Sequence, residues 1–256
     1  LKVIGLLNIQ FAVKNNIVYV LEVNPRASRT TPFVSKATGV PLAKIAAKLM
    51  AGLTLKELGI VEEKKVEHIS VKESVLPFTR FSGVDVLLGP EMKSTGEVMG
   101  IDKSFGMAFY KAQLAAGTLL PAKGKIFISV KNNDKRNIVF IAKKIYDMGF
   151  EIIATIGTAK VLSSNNIKVK KVGKIGEGHM ELLELMKKGK IKLVINTPSG
   201  RKGQSDMKYM RNLATMQGIP CITTIQGAQA AVNGMEAVRE SDFSVTSIQE
   251  YLQKYS

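Results

Sequence analysis

The chain has 256 residues, enough for one large or two modest domains with a true hydrophobic core, so a miniature disulfide-held scaffold is excluded. Its 37 Lys and Arg against 21 Asp and Glu give a net charge of +16, yet 45% hydrophobic and 23% charged residues exclude a disordered basic tail. The single cysteine, Cys221, cannot close an internal disulfide and there is no 18-residue apolar run, so a cytoplasmic protein with no membrane partner is expected.

In chain order, Ile4 to Val13 and Ile17 to Val23 are β-rich runs separated by Lys14-Asn15-Asn16, which predicts a hairpin. Leu1 stands just before this strand pattern with no leader-like stretch ahead of it, so the chain is expected to begin inside a domain. Glu22 and Asn24 are two residues apart and share a strand face, and the hairpin brings Gln10 near them. Three oxygen-bearing side chains with one carboxylate suit Mg²⁺ or Mn²⁺ that keeps phosphate oxygens and waters as further ligands. A polar, solvated hairpin face explains the same three residues. Arg26 and Arg29 follow, two guanidinium forks able to grip a carboxylate, carbonate or phosphate in two-pronged fashion. Pro41 to Leu49 then has helical spacing, ending at Gly52. His68, in the β-like run 66–71, has no second histidine or cysteine near it and is expected at the surface. Met92, Met99 and Met107 read as core gap-fillers.

A helical stretch ends at Gly117 and Pro121 precedes a new strand, which places a domain join at 118/119. Residues 1–118 carry 15 basic and 10 acidic side chains, and residues 119–256 carry 22 and 11. The second half has no zinc-finger spacing and no aromatic-basic stacking motif, so nucleic acid is not an expected partner. Small anionic ligands or a solvated lysine surface both account for its charge. Strands are predicted at 125–130, 151–155, 168–172, 191–196 and 219–224, with helices at 137–148, 158–163, 178–189, 204–217 and 227–239. Such alternation implies a doubly wound parallel sheet of five strands, with a last helix, 247–255, expected to pack on it. Ligands of such sheets sit beyond the carboxyl ends of the strands. Thr155-Ile156-Gly157-Thr158, Lys174, Asn196-Thr197-Pro198-Ser199-Gly200 and Thr223 all fall there and could converge on a phosphate, although each Ser or Thr alone also reads as a turn or cap residue.

Long runs in this order resemble one family. They are Asn8 to Val13, Leu21-Glu22-Val23-Asn24-Pro25-Arg26-Ala27-Ser28-Arg29-Thr30, Pro32 to Ala43, Ser70-Val71-Lys72-Glu73-Ser74-Val75-Leu76-Pro77-Phe78 and Leu88 to Gly100. Together they are similar to the carbamoyl-phosphate synthetase large chain. The resemblance implies an α/β chain: residues 1–118 as the C-terminal part of its second ATP-grasp domain (α+β), and residues 119–256 as its methylglyoxal-synthase-like regulatory domain. It implies a ligase reaction in which ATP phosphorylates carbamate, derived from bicarbonate, to carbamoyl phosphate for arginine and pyrimidine biosynthesis. Two Mg²⁺ or Mn²⁺ ions would be held at Gln10, Glu22 and Asn24, and Arg26 and Arg29 would anchor the carboxy substrate. Carried over by position, Lys135, Thr155, Thr158, Lys174 and Asn196 are implied to bind a UMP- or IMP-type effector, and Glu73 and Thr223 to bind ornithine. A small glutaminase subunit and an oligomeric enzyme are implied as partners.

Pro198 departs from the family pattern by removing a hydroxyl and a backbone N–H, which leaves the particular nucleotide open. The 196–200 loop has no carboxylate, which argues against methylglyoxal synthase chemistry itself. An ATP-grasp site also needs an upstream lysine and a glycine-rich lid, so this chain alone is expected to be inactive. The competing reading is a free-standing nucleotide-binding or oligomerisation module.

Overall fold

In the computed structural model, which describes residues 1–78, 86–88, 93–173, 180–198 and 204–254, the chain divides into two compact units. The first comprises 1–69 with 244–256, and the second 70–243. The join read from sequence at 118/119 falls inside the second unit.

The first unit opens with the antiparallel hairpin β1 (Asn8–Lys14) and β2 (Ile17–Asn24). Asn15 and Asn16 both take left-handed backbone angles, φ 51° and 61°, the signature of a two-residue turn that matches strand twist. The strand begins four residues later than Ile4, because Gly5 at φ 101° breaks the extended run. Helix α1 (Thr30–Thr38) was not foreseen from the sequence; it stops at Gly39, whose φ of 73° forms a left-handed C-cap. Helix α2 (Leu42–Met50) follows Pro41.

Two expectations are corrected in this unit. His68 is not at the surface: it is only 8% exposed, its Nε2 lies 2.8 Å from the Ala37 carbonyl, and its ring meets Tyr251 edge-on with centroids 5.3 Å apart. The closing helix α9 (Ile248–Lys254) packs on α1 in this first unit rather than on the second-half sheet. A reciprocal box starts α9, in which the Ser247 N–H donates to Glu250 and the Glu250 N–H to Ser247 Oγ.

In the second unit, β3 (Ile69–Val75) pairs with β4 (Gly96–Asp102), and α3 (Phe105–Ala115) follows. Five strands then form the main sheet: β5 (Lys125–Ser129), β6 (Glu151–Thr155), β7 (Val169–Val172), β8 (Ile191–Asn196) and β9 (Cys221–Ile222). All neighbouring pairs are parallel, and the spatial order is β7-β6-β5-β8-β9. Alternate residues face opposite cores. Ile126, Ile128, Ile152, Ala154, Leu193 and Ile195 pack on one side, and Phe127, Ile153 and Val194 on the other.

Helices α4 (Lys135–Asp147), α5 (Ile156–Ser163) and α8 (Ile225–Glu240) line the first core. Helices α6 (Glu181–Lys187) and α7 (Gln204–Met216) line the second. The sheet is therefore covered on both faces, as a doubly wound fold requires. Helix α3 lies against α8 so closely that a Cβ on Gly106 would sit 2.6 Å from the Asn233 carbonyl. This contact fixes α3 against α8, one of the helices that line the first core.

Candidate functional site

The hairpin end is the first cluster. Gln10 and Glu22 are direct cross-strand partners, as are Asn8 and Asn24, and a register shift follows Gln10. Asn24 Nδ2 donates to Glu22 Oε1 at 2.8 Å, and Arg26 reaches back so that Nη2 lies 3.5 Å from Asn24 Oδ1 while Nη1 donates to the Ala27 carbonyl. Glu22 and Asn24 thus sit together with Gln10 opposite, as the face periodicity and the hairpin predict, and Arg26 joins them from beyond the strand end. Arg29 stands three residues on, at the position just before α1, beside a turn in which Thr30 N–H donates to Ser28 Oγ. The trio offers oxygen donors only, with a single carboxylate. That set fits a hard divalent cation whose remaining ligands come from phosphate or water. Among the described residues no cluster of three His, Cys, Asp or Glu offers a competing metal site.

The second cluster follows from strand order. The first strand of the main sheet, β5, has β6 on one side and β8 on the other, and the chain winds in opposite directions from it. This is a topological switch point, where a crevice opens beyond the strand ends. Register places Ser129 beside Asn196, and Ser129 Oγ lies 3.1 Å from Thr155 Oγ1. Helix α5 begins here with Gly157 in its first turn. A Cβ on that glycine would meet the Lys135 ammonium at 3.1 Å, so the charge rests over the exposed N–H end of α5. Lys135 Nζ also donates to Asn132 Oδ1 at 2.7 Å.

The structure thus brings Lys135, Thr155, Thr158 and Asn196 to one crevice, while Lys174, Ser199 and Gly200 lie outside the described residues. The four differ in what they can offer. Thr158 is 1% exposed and accepts the Val130 N–H at 3.3 Å, and Asn196 is 2% exposed, its Nδ2 donating to the Ser129 carbonyl. These two brace the strand ends. Thr155 and Lys135 remain partly accessible.

Sequence reading missed Ser129 and, above all, Arg211. This arginine is fully buried on α7 and donates to Asn196 Oδ1 at 3.0 Å. A signal existed, since Met207, Met210 and Ala214 form the apolar stripe of α7 and position 211 falls on the same stripe at the i+4 step.

The third cluster is a cavity of about 550 Å³ within the second unit, whose lining includes Glu73, Leu76, Gln113, Thr215, Cys221 and Thr223. It unites Glu73 and Thr223, which are 150 positions apart in the chain. Burial pushes the Glu73 carboxyl above its ordinary range, against hydrogen bonds from Gln113 and the Ser74 backbone that pull it down.

Residues 1–58 match the carbamoyl-phosphate synthase L chain ATP-binding domain, and residues 137–223 match the MGS-like domain. Two family models thus meet in one α/β chain, an ATP-binding-domain model over its start and an MGS-like-domain model over its second half. A carbamoyl phosphate synthase large chain of Archaeoglobus fulgidus is 55% identical over 98% of this chain and 23% of its own length. A carbamoyl phosphate synthase large chain, C-terminal section, of Methanocaldococcus jannaschii is 54% identical over 98% of this chain and 42% of its own. Nearly the whole of this chain is thus similar to part of carbamoyl phosphate synthase large chains. It spans about a quarter of full-length relatives. A solved methylglyoxal synthase from Elizabethkingia anophelis aligns with 44% of this chain and 79% of its own at 20% identity and a TM-score of 0.38, too low to add to the family-model match.

Proposed function

We propose that the chain works as part of an enzyme that phosphorylates carbamate with ATP, yielding carbamoyl phosphate and ADP. The first unit contributes to the ATP site, and the second carries regulatory sites. The observation that carries this reading is the Gln10–Glu22 cross-strand pair flanked by Asn24 and Arg26, in a chain homologous to carbamoyl phosphate synthase large chains. Gln10, Glu22 and Asn24 would hold Mg²⁺ or Mn²⁺, which when bound neutralises charge on phosphate oxygens. Arg26 and Arg29 orient the anionic carboxy substrate through paired N–H donors, so that its oxygen faces the transferring phosphoryl group.

In the second unit, Lys135, Thr155 and the N–H end of α5 bind the phosphate of a UMP- or IMP-type nucleotide, with Lys174 adding charge and Thr158 and Asn196 holding the crevice in shape. The Glu73 carboxylate and Thr223 hydroxyl suit an amino-acid cation of the ornithine type. Glu22→Gln in a full-length large chain tests the catalytic reading. Carbamate-dependent ADP formation should be lost while stability shifts by less than about 0.5 kcal/mol, since the residue is exposed. Retained activity would remove the assignment.

A further inference from the structure

We propose that Arg211 is a positioning residue for the switch-point crevice, fixing the Asn196 amide so that the strand ends present a surface fit for an anion; this rests on the reading of that crevice as a phosphate site. Among the described residues Arg211 is the one lysine or arginine buried from solvent. A guanidinium out of water is costly, and an apolar side chain would complete the α7 stripe with less penalty.

What the arginine does is set by donor and acceptor chemistry. A side-chain amide can point its oxygen or its nitrogen either way, but a guanidinium only donates. Arg211 Nη1, 3.0 Å from Asn196 Oδ1, therefore turns the amide oxygen toward α7 and its NH₂ toward β5. There Nδ2 donates to the Ser129 carbonyl at 3.1 Å, and Thr197 N–H donates to the same oxygen at 3.1 Å. Both lone pairs at the end of the central strand are thus covered by donors. With the amide reversed, Asn196 Oδ1 would face the Ser129 carbonyl, and two acceptors would confront an incoming phosphate. Thr215 Oγ1 donates to the Arg211 carbonyl one turn on and steadies this stretch of α7.

The test compares wild type, Arg211→Met and Arg211→Lys in the whole chain, titrated calorimetrically with UMP and with inorganic phosphate. The Asn196 side-chain NH₂ resonances, assigned through Asn196→Asp, are followed in parallel. Arg211→Met should bind about tenfold more weakly, and Arg211→Lys, still a pure donor, should recover to within about threefold. The Asn196 resonances should move in the methionine variant and stay in the lysine variant, with the backbone spectrum of the rest retained. Wild-type affinity in Arg211→Met, or unmoved Asn196 resonances, overturns the proposal. If wild type binds neither probe, the phosphate-site reading fails by itself, and the Asn196 resonances alone decide the role of Arg211. Should the methionine variant not fold, Arg211→Leu, which likewise completes the apolar stripe and offers no donor, takes its place with the same expected and overturning results.

Discussion

Replacing Gly157 by alanine should weaken anion binding while leaving stability equal or raised. The added methyl would stand 3.1 Å from the Lys135 ammonium and 3.8 Å from its Cε, the two contacts it would make within 4 Å among the described residues outside its own turn of α5. The obstacle is the tip of a flexible side chain, so the backbone of α5 has no reason to move. In the first turn of a helix, alanine gains about 0.5 kcal/mol over glycine, which for a unit of this size raises Tm by roughly 1–2 °C.

The ammonium, however, must give way by a few tenths of an ångström, about 0.4 Å. With an effective dielectric near 20, moving a unit charge from about 4 to about 4.4 Å from a phosphate loses about 0.4 kcal/mol per phosphate charge. That is roughly twofold for a monoanion and roughly fourfold for a dianion. Calorimetric titration with UMP at fixed salt, paired with a thermal melt, reads both effects. Unchanged UMP affinity with an intact or raised Tm would refute the placement of Lys135 in the site. A Tm lowered by several degrees would instead refute the local packing at α5.

Gly106→Ala should destabilise the second unit by about 1–3 kcal/mol, because its methyl would meet a backbone carbonyl of α8 that cannot step aside; a thermal melt checks this. Glu73 has a raised pKa in the folded state, so its contribution to stability is fully present below the ordinary carboxylate range and is lost as pH rises through the raised value. The Tm of Glu73→Gln should therefore gain on wild type as pH climbs above about 4.5 and then run parallel, whereas parallel curves throughout would show that the carboxyl is not desolvated. His68→Ala removes a buried bond to the Ala37 carbonyl and the ring under Tyr251; it should cost about 2 kcal/mol and make α9 the first site cut in limited proteolysis.

Much of the candidate site was legible because its signals are local. The period-two alternation around Glu22 and Asn24 sets their common face, and two asparagines suited to left-handed backbone set the turn that pairs Gln10 with Glu22. The β–α alternation after residue 119 specifies parallel strands and puts Thr155 and Asn196 at their carboxyl ends. Other features have no local signature. Nothing near His68 shows that the last helix of the chain returns to cover it, and the stretch leading to Gly117 does not reveal that Gly106 must press against α8.

The sequence by itself determined which residues stand at strand ends and helix starts, since hydrogen bonding within a strand or helix repeats over two or about four residues. The tertiary structure alone decided which of those ends meet. Placing β5 between β6 and β8 joins Ser129 to Thr155 and to Asn196, positions tens of residues apart. Packing α7 below β8 buries an arginine against that same asparagine. Those choices rest on the fit of whole apolar faces and on close approaches that only glycine allows, and such complementarity exists only once distant segments are side by side.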